Sequence, residues 1–286
     1  MVHVETFFDQ ATNTATHLVI DSNSSRCAVI DPVLDFDLPS GRLSTNSADK
    51  IVAEIKSKKL RLEWILETHI HADHITAAKH LKDQLGGKIG IGKKVCQVQD
   101  VFREFYDLGP EFVSDGSQFD HLFDDGEQFA IGSNLANAIM TPGHTPACIT
   151  YLIEDCAFCG DTLFMPDTGT GRCDFPGGSA RDLYCSIQKI FSLPSATRIF
   201  VGHDYIGHGR DNFSWETTVA DQRESNIHVR SGIGLEGFIE FRKKRDAELS
   251  IPRMMLSAIQ VNIRAGGLPP PGGDGRTFLK LPLNQL

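Results

Sequence analysis

Nine residues, Thr68-His69-Ile70-His71-Ala72-Asp73-His74-Ile75-Thr76, constrain this chain more than any other stretch. Three histidines and an aspartate fall within six positions, directly after the apolar run Leu62 to Leu66. On an extended strand end His69 and His71 point to the same side. Asp73 and His74 follow in the turn that should open a helix, expected from about Ile75 to Leu85 and stopped by Gly86-Gly87. Imidazole and carboxylate suit zinc, iron or manganese. So dense a cluster reads as a metal site rather than as surface histidines with Asp73 capping a helix. These residues do not complete a coordination sphere, so further ligands must come from distant parts of the chain.

The apolar pattern around the cluster indicates what carries it. Val4–Phe8, Thr16–Ile20 and Cys27–Ile30 read as strands, the last two joined by the turn residues Asp21 to Ser25. Asp35 to Thr45 reads as a loop, after which Asn46 or Ser47 caps a helix burying Ile51, Val52 and Ile55. Further strands are expected at 62–66, 88–92, 128–131, 135–140, 148–153, 157–159 and 198–201, with helices at 95–106 and 180–191. Glu111 to Asp125 reads as loop, the chain beyond Tyr205 as mostly helical, and Gly266 to Arg276 as Gly/Pro-rich coil. Strands interspersed with helices in both halves predict an α/β fold of two sheets with helices outside. With no linker-like composition shift, one domain over residues 1–286 is expected, with a helical extension from about 210.

Composition narrows the partners. A net charge of −9 argues against general binding to nucleic acid or anionic membrane, while leaving room for local basic pockets. No apolar run approaches the roughly 18 residues of a membrane-spanning helix. Met1 to Gln10 carries Glu5 and Asp9 and does not read as a secretion signal. Seven cysteines, an odd number without scaffold-like density, point to a reducing cytoplasm.

Three further polar positions stand where predicted strands end: His144 in Thr141-Pro142-Gly143-His144-Thr145-Pro146, Asp161 in Cys159-Gly160-Asp161-Thr162, and His203 in Gly202-His203-Asp204. Strand ends at one edge of a sheet converge, so the set reads as one site. With the cluster at 69–74, these residues resemble the metallo-β-lactamase superfamily over about residues 15 to 205. The resemblance implies an αβ/βα four-layer sandwich holding one or two metals at its strand ends.

Gly171-Arg172-Cys173-Asp174-Phe175 resembles the persulfide dioxygenases and the bacterial β-lactamase-hydrolase-like proteins, as do His203-Asp204-Tyr205 and the tail Gln260-Val261-Asn262-Ile263-Arg264-Ala265-Gly266. Glyoxalase II usually carries Gly-Arg-x-Phe-Glu at the first of these. The resemblance implies one Fe(II) on His69, His144 and Asp161, and oxidation of glutathione persulfide by O2 to sulfite and glutathione. His71, Asp73, His74 and His203 would then orient ligands and water. The same four would bind the second metal of a binuclear zinc enzyme hydrolysing a glutathione thioester, and the ligand inventory leaves both open. By motif position Arg172 holds a glutathione carboxylate or pairs internally with Asp174. Tyr205 donates a hydrogen bond near the reacting sulfur or packs beneath the site. Relatives of this kind often form homodimers.

Cys156 and Cys159 are expected in buried core, and Cys173 is the cysteine near enough to matter. Arg242-Lys243-Lys244-Arg245 is expected on the solvated side of an amphipathic helix.

Overall fold

The structure, a computed structural model, describes residues 2–207 and 209–285. The N-terminal half contains β1 (Val2–Asp9), β2 (Thr14–Asp21), β3 (Arg26–Ile30), β4 (Val33–Asp37), β5 (Arg42–Ser44), α1 (Asn46–Ser57), β6 (Arg61–Leu66), β7 (Ile75–Thr76), α2 (Ala78–Leu85), β8 (Lys88–Gly92), α3 (Val95–Phe105) and β9 (His121–Phe123). The C-terminal half contains β10 (Glu127–Ile131), β11 (Asn134–Met140), β12 (Ile149–Ile153), β13 (Cys156–Phe158), α4 (Ala180–Phe191), β14 (Arg198–Phe200), β15 (Glu216–Thr218), α5 (Val219–Ser225), α6 (Leu235–Asp246) and α7 (Met255–Asn262). Each half builds a six-stranded mixed sheet, ordered β1-β2-β3-β6-β8-β9 and β10-β11-β12-β13-β14-β15.

Strand period decides how these sheets stack. Along β13, Cys156 and Phe158 enter the core between the sheets, while Ala157 and the following Cys159 enter the core under α4. On β2 and β3, Leu18, Ile20, Cys27 and Val29 face the layer of α1 to α3, and Val19, Ala28 and Ile30 face the other sheet. Both faces of each sheet are covered, so the central strands read as continuous apolar runs. The result is the four-layer αβ/βα sandwich expected.

Several local expectations need correction. Residues 35–45 are not a plain loop: β4 and β5 form a hairpin, and β4 also pairs with β7. That pairing takes Ile75 and Thr76, so α2 starts at Ala78 and not at Ile75. Neither Asn46 nor Ser47 caps α1; the N-cap is Thr45, and Ser47 N–H donates to Asp35 Oδ2 at 2.9 Å. A distant carboxylate thus satisfies an orphan donor of the first turn. The 111–125 stretch also holds a strand, β9, pairing with β8. Among the described residues no helix is long and apolar enough to cross a membrane.

Candidate metal centre

Four strand ends deliver the candidate ligands. β6 is central in its sheet, flanked in parallel by β3 and β8, and leaves it after Leu66. Beyond that point Thr68 N–H and Oγ1–H both donate to the Asp31 carboxylate, each at 2.8 Å. His144 comes from the turn after β11, Asp161 from a 3-10 turn after β13, and His203 from the segment after β14. Gly160 opens that turn with φ +48°, and a Cβ there would stand 2.3 Å from Thr68 Oγ1. Glycine lets the Asp161 turn close against the His69 loop.

Hydrogen-bond chemistry fixes which ring nitrogens face inward. The Thr68 hydroxyl gives its proton to Asp31, so it accepts from His69 Nδ1 at 3.0 Å. His144 Nδ1 lies 2.8 Å from Arg172 O, and His203 Nδ1 lies 3.2 Å from Asn13 O. A carbonyl only accepts, so in all three rings Nδ1 is protonated and the Nε2 lone pair is left for a ligand. The neutral form of the His69 ring is favoured by burial, then by neighbouring His71 and His144, which press its pKa well below the usual value.

These atoms fit a metal ion. His69 Nε2, His74 Nε2, His203 Nε2 and Asp161 Oδ1 are buried without a hydrogen-bond partner, a costly state for polar atoms unless something else binds them. His69, His144 and Asp161 present ligand atoms within 4.8 Å of one another, and His71, Asp73, His74 and His203 form a second such group. Asp161 lies between the two, with Oδ2 3.6 Å from His144 Nε2 and Oδ1 3.3 Å from His203 Nε2.

Behind them lies a buried trio, Asp31, Glu67 and His71, of which the sequence reading named only His71. His71 Nε2 lies 3.0 Å from Asp31 Oδ1 and 3.4 Å from Glu67 Oε2. Burial opposes a charge on His71, yet the two carboxylates hold its pKa well above the usual value. Asp31 and Glu67 directly follow β3 and β6, and their place at the strand ends nearest the histidine cluster is the sequence signal that could have found them.

A cavity of about 640 Å³ opens onto Asp161, His144 and Asp73. Phe36, Leu38 and Pro39 of the β4–β5 hairpin line one side, and four of the fifteen arginines, Arg172, Arg242, Arg245 and Arg253, also line it. Arg172 is engaged internally: Nε and Nη2 grip Asp174 at 2.5 and 2.6 Å, and Nη1 donates to Ser250 O at 2.7 Å. Arg242 departs from its expected solvated position, being 2% exposed and paired with Asp246. Arg245 and Arg253 are exposed and make no ion pair among the described residues. Tyr205 lines the same cavity, its ring stacked on His203 at 6.0 Å and 18°. Partial burial against the cavity wall, with 48% of the residue still exposed, and the Asp161 and Asp73 carboxylates raise its phenol pKa and keep it protonated.

The cysteines stand apart. Cys156 and Cys159 point to opposite faces of their sheet, which rules out a redox pair. Burial pushes the thiols of Cys27, Cys148, Cys156, Cys159 and Cys173 up to about 12. Cys173 lines a different cavity, toward Lys243 and Asp246. Cys173→Ser is therefore expected to leave metal content and turnover within about twofold of the parent.

Residues 12–203 match the sequence pattern of the metallo-beta-lactamase superfamily. The chain belongs to that superfamily. Among similar members, a probable metallo-hydrolase of Burkholderia pseudomallei is 50% identical over 99% of both chains. The beta-lactamase hydrolase-like protein of Xylella fastidiosa is 49% identical over 99% of this chain, which spans 65% of that protein's length. Human mitochondrial persulfide dioxygenase ETHE1 is 30% identical, covering 91% of this chain and 87% of its own. The crystal structure of ETHE1 from Myxococcus xanthus superposes with a TM-score of 0.73 at 27% identity, covering 93% of this chain and all of that one. As a metallo-beta-lactamase superfamily enzyme, this chain carries a His/Asp metal cluster at the strand ends of the fold.

Proposed function

We propose that this chain is a persulfide dioxygenase, converting glutathione persulfide, O2 and water to glutathione, sulfite and two protons. The observation that carries the reading is the group His69, His144 and Asp161: two imidazoles and one carboxylate beside an arginine-lined cavity. Similarity to mammalian persulfide dioxygenase supports it. One Fe(II) held by these three residues would keep open positions and supply the redox chemistry between sulfur and O2 that side chains lack.

The chain's own groups do the remainder. Tyr205 donates its phenolic proton in a hydrogen bond toward the reacting sulfur. His71, Asp73, His74 and His203 orient ligands and water from behind. Phe36, Leu38, Pro39 and Phe164 give the cavity apolar walls that limit water. Arg172, Arg245 and Arg253 attract the substrate carboxylates, with the greater share on Arg245 and Arg253 because the Arg172 fork is engaged by Asp174. Replacing both Arg245 and Arg253 by Ala is expected to raise KM about tenfold with kcat little changed, each exposed, solvent-screened contact being worth about 0.5–1 kcal/mol. An unaltered KM would remove them from the substrate site. A cytoplasmic location belongs to the same proposal, since a reducing compartment suits seven unpaired cysteines.

Metal analysis of the purified protein is expected to find about one iron per chain, and glutathione persulfide is expected to trigger oxygen uptake. Two zincs per chain without oxygen consumption would defeat the reading. One observation favours the alternative, a binuclear zinc hydrolase of a glutathione thioester: the two Asp161 oxygens face His144 and His203 separately, as in a bridging carboxylate. Relatives named as a probable metallo-hydrolase and as glyoxylase B2 of Dictyostelium discoideum, the latter 47% identical, point the same way. Oxygen-independent hydrolysis of S-lactoylglutathione would identify it.

A further inference from the structure

We propose that the C-terminal segment from α6 to α7 is a working part of the metal centre within one domain: Asn262 and the Arg242–Asp246 pair are positioning residues for the two loops that carry its ligands. Both lie beyond the residues 12–203 that match the superfamily pattern.

Asn262 ends α7 and is 2% exposed. Its Nδ2 donates to His71 O and to His74 O, both at 2.8 Å, and its Oδ1 accepts from Thr76 N–H at 2.9 Å. One side-chain amide has two donor hydrogens and one acceptor oxygen. All are used on the stretch 71–76. The loop bearing His71, Asp73 and His74 is therefore folded around a single amide supplied from nearly two hundred residues away.

The second brace acts on the other loop. Arg242 and Asp246, one helical turn apart on α6 and both buried, pair with each other. Arg242 Nη1 donates to Thr170 O at 3.2 Å, and Asp246 Oδ2 accepts from Cys173 N–H at 2.9 Å. Between those two points lies Arg172, whose carbonyl accepts from His144 Nδ1. The Arg172 side chain is tied to the same segment through Ser250 O. The carbonyl that sets the His144 tautomer is thus held on both sides by α6. Outer groups that orient metal-bound histidines set metal affinity as well as ligand direction.

The proposal rests on metal binding at His69, His144 and Asp161, not on which reaction follows, and its test involves no turnover. The full chain carrying Asn262→Asp keeps the size and the acceptor but turns an oxygen toward two carbonyls. Asp246→Asn removes the charge that steadies Arg242 while keeping an acceptor for Cys173 N–H. Co(II) affinity is measured by competition with a chromophoric chelator, the visible spectrum of the Co(II) protein is recorded, and metal-free thermal unfolding serves as the control. Both variants are expected to bind Co(II) about 10- to 100-fold more weakly and to show a shifted visible spectrum, with metal-free unfolding still cooperative. Affinity within twofold of the parent and an unchanged spectrum, with only the metal-free midpoint lowered, would reduce these residues to ordinary packing and overturn the proposal. Should Asn262→Asp yield no folded protein, Asp246→Asn alone decides by the same two readouts.

Discussion

Asp161→Ala is expected to yield a folded protein that has lost its metal and at least about a thousandfold in turnover, a barrier increase of about 4 kcal/mol. The carboxylate is the only anionic member of its ligand group, and its Oδ1 has no hydrogen-bond partner among the described residues. Removing it breaks no backbone support, so the metal-free variant should unfold within a few degrees of the metal-free parent. What disappears is the charge that balances a divalent cation. Without it, His69 and His144 remain as imidazole ligands beside a cavity whose Arg245 and Arg253 make no ion pair among the described residues and repel a cation. Metal content by elemental analysis, with circular dichroism as the folding control, checks the result. Full metal occupancy in the variant would mean that the ligand group has been misassigned.

Gly143→Ala is expected to be the most destabilising single methyl near the site. Gly143 has φ +144°, a backbone conformation that a side chain strains. A Cβ there would also lie 2.3 Å from the backbone N and Cα of Leu183. Leu183 is fully buried on α4, a helix tied to the same turn by Ser179 N–H donating to Gly143 O at 2.8 Å at its N-cap and by Ser186 Oγ donating to Pro142 O at 2.7 Å at its middle. The conflict is with helix backbone, so no side-chain rotation relieves it. Backbone strain and overpacking together are expected to cost about 3 kcal/mol or more, about 6–12 °C in Tm for a chain of this size. Because His144 is the next residue, metal affinity should fall as well. A thermal melt with metal titration tests both, and an unchanged Tm would mean that α4 yields more easily than its packing implies.

The parts of this architecture written in local pattern were legible. β2, β3 and β12 are buried on both faces and stand out from flanking polar segments, and the histidines and Asp161 stand just past the ends of strands that the apolar pattern marks. The parts that depend on distant partners were not. The β4–β5 hairpin exists because β4 also pairs with β7, a contact that also shifts the start of α2. Arg242 reads as one cation in a charged run, and only a buried carboxylate one turn away with the Thr170 carbonyl opposite makes its burial tolerable. Asn262 enters the sequence reading only as part of the tail motif 260–266, with no role attached, because its partners His71 and His74 lie 191 and 188 residues away. For Arg172 the sequence left two roles open. The structure contains the internal pair with Asp174, and the unpaired guanidiniums of the cavity stand at Arg245 and Arg253.

The five buried thiols have a consequence for any reactive sulfur compound that enters the cavity. Burial keeps these groups in the thiol form at neutral pH, and sulfur is exchanged by thiolates, not by thiols. The framework around the histidines is therefore chemically silent toward sulfane sulfur. It would neither scavenge such a reagent nor be modified by it.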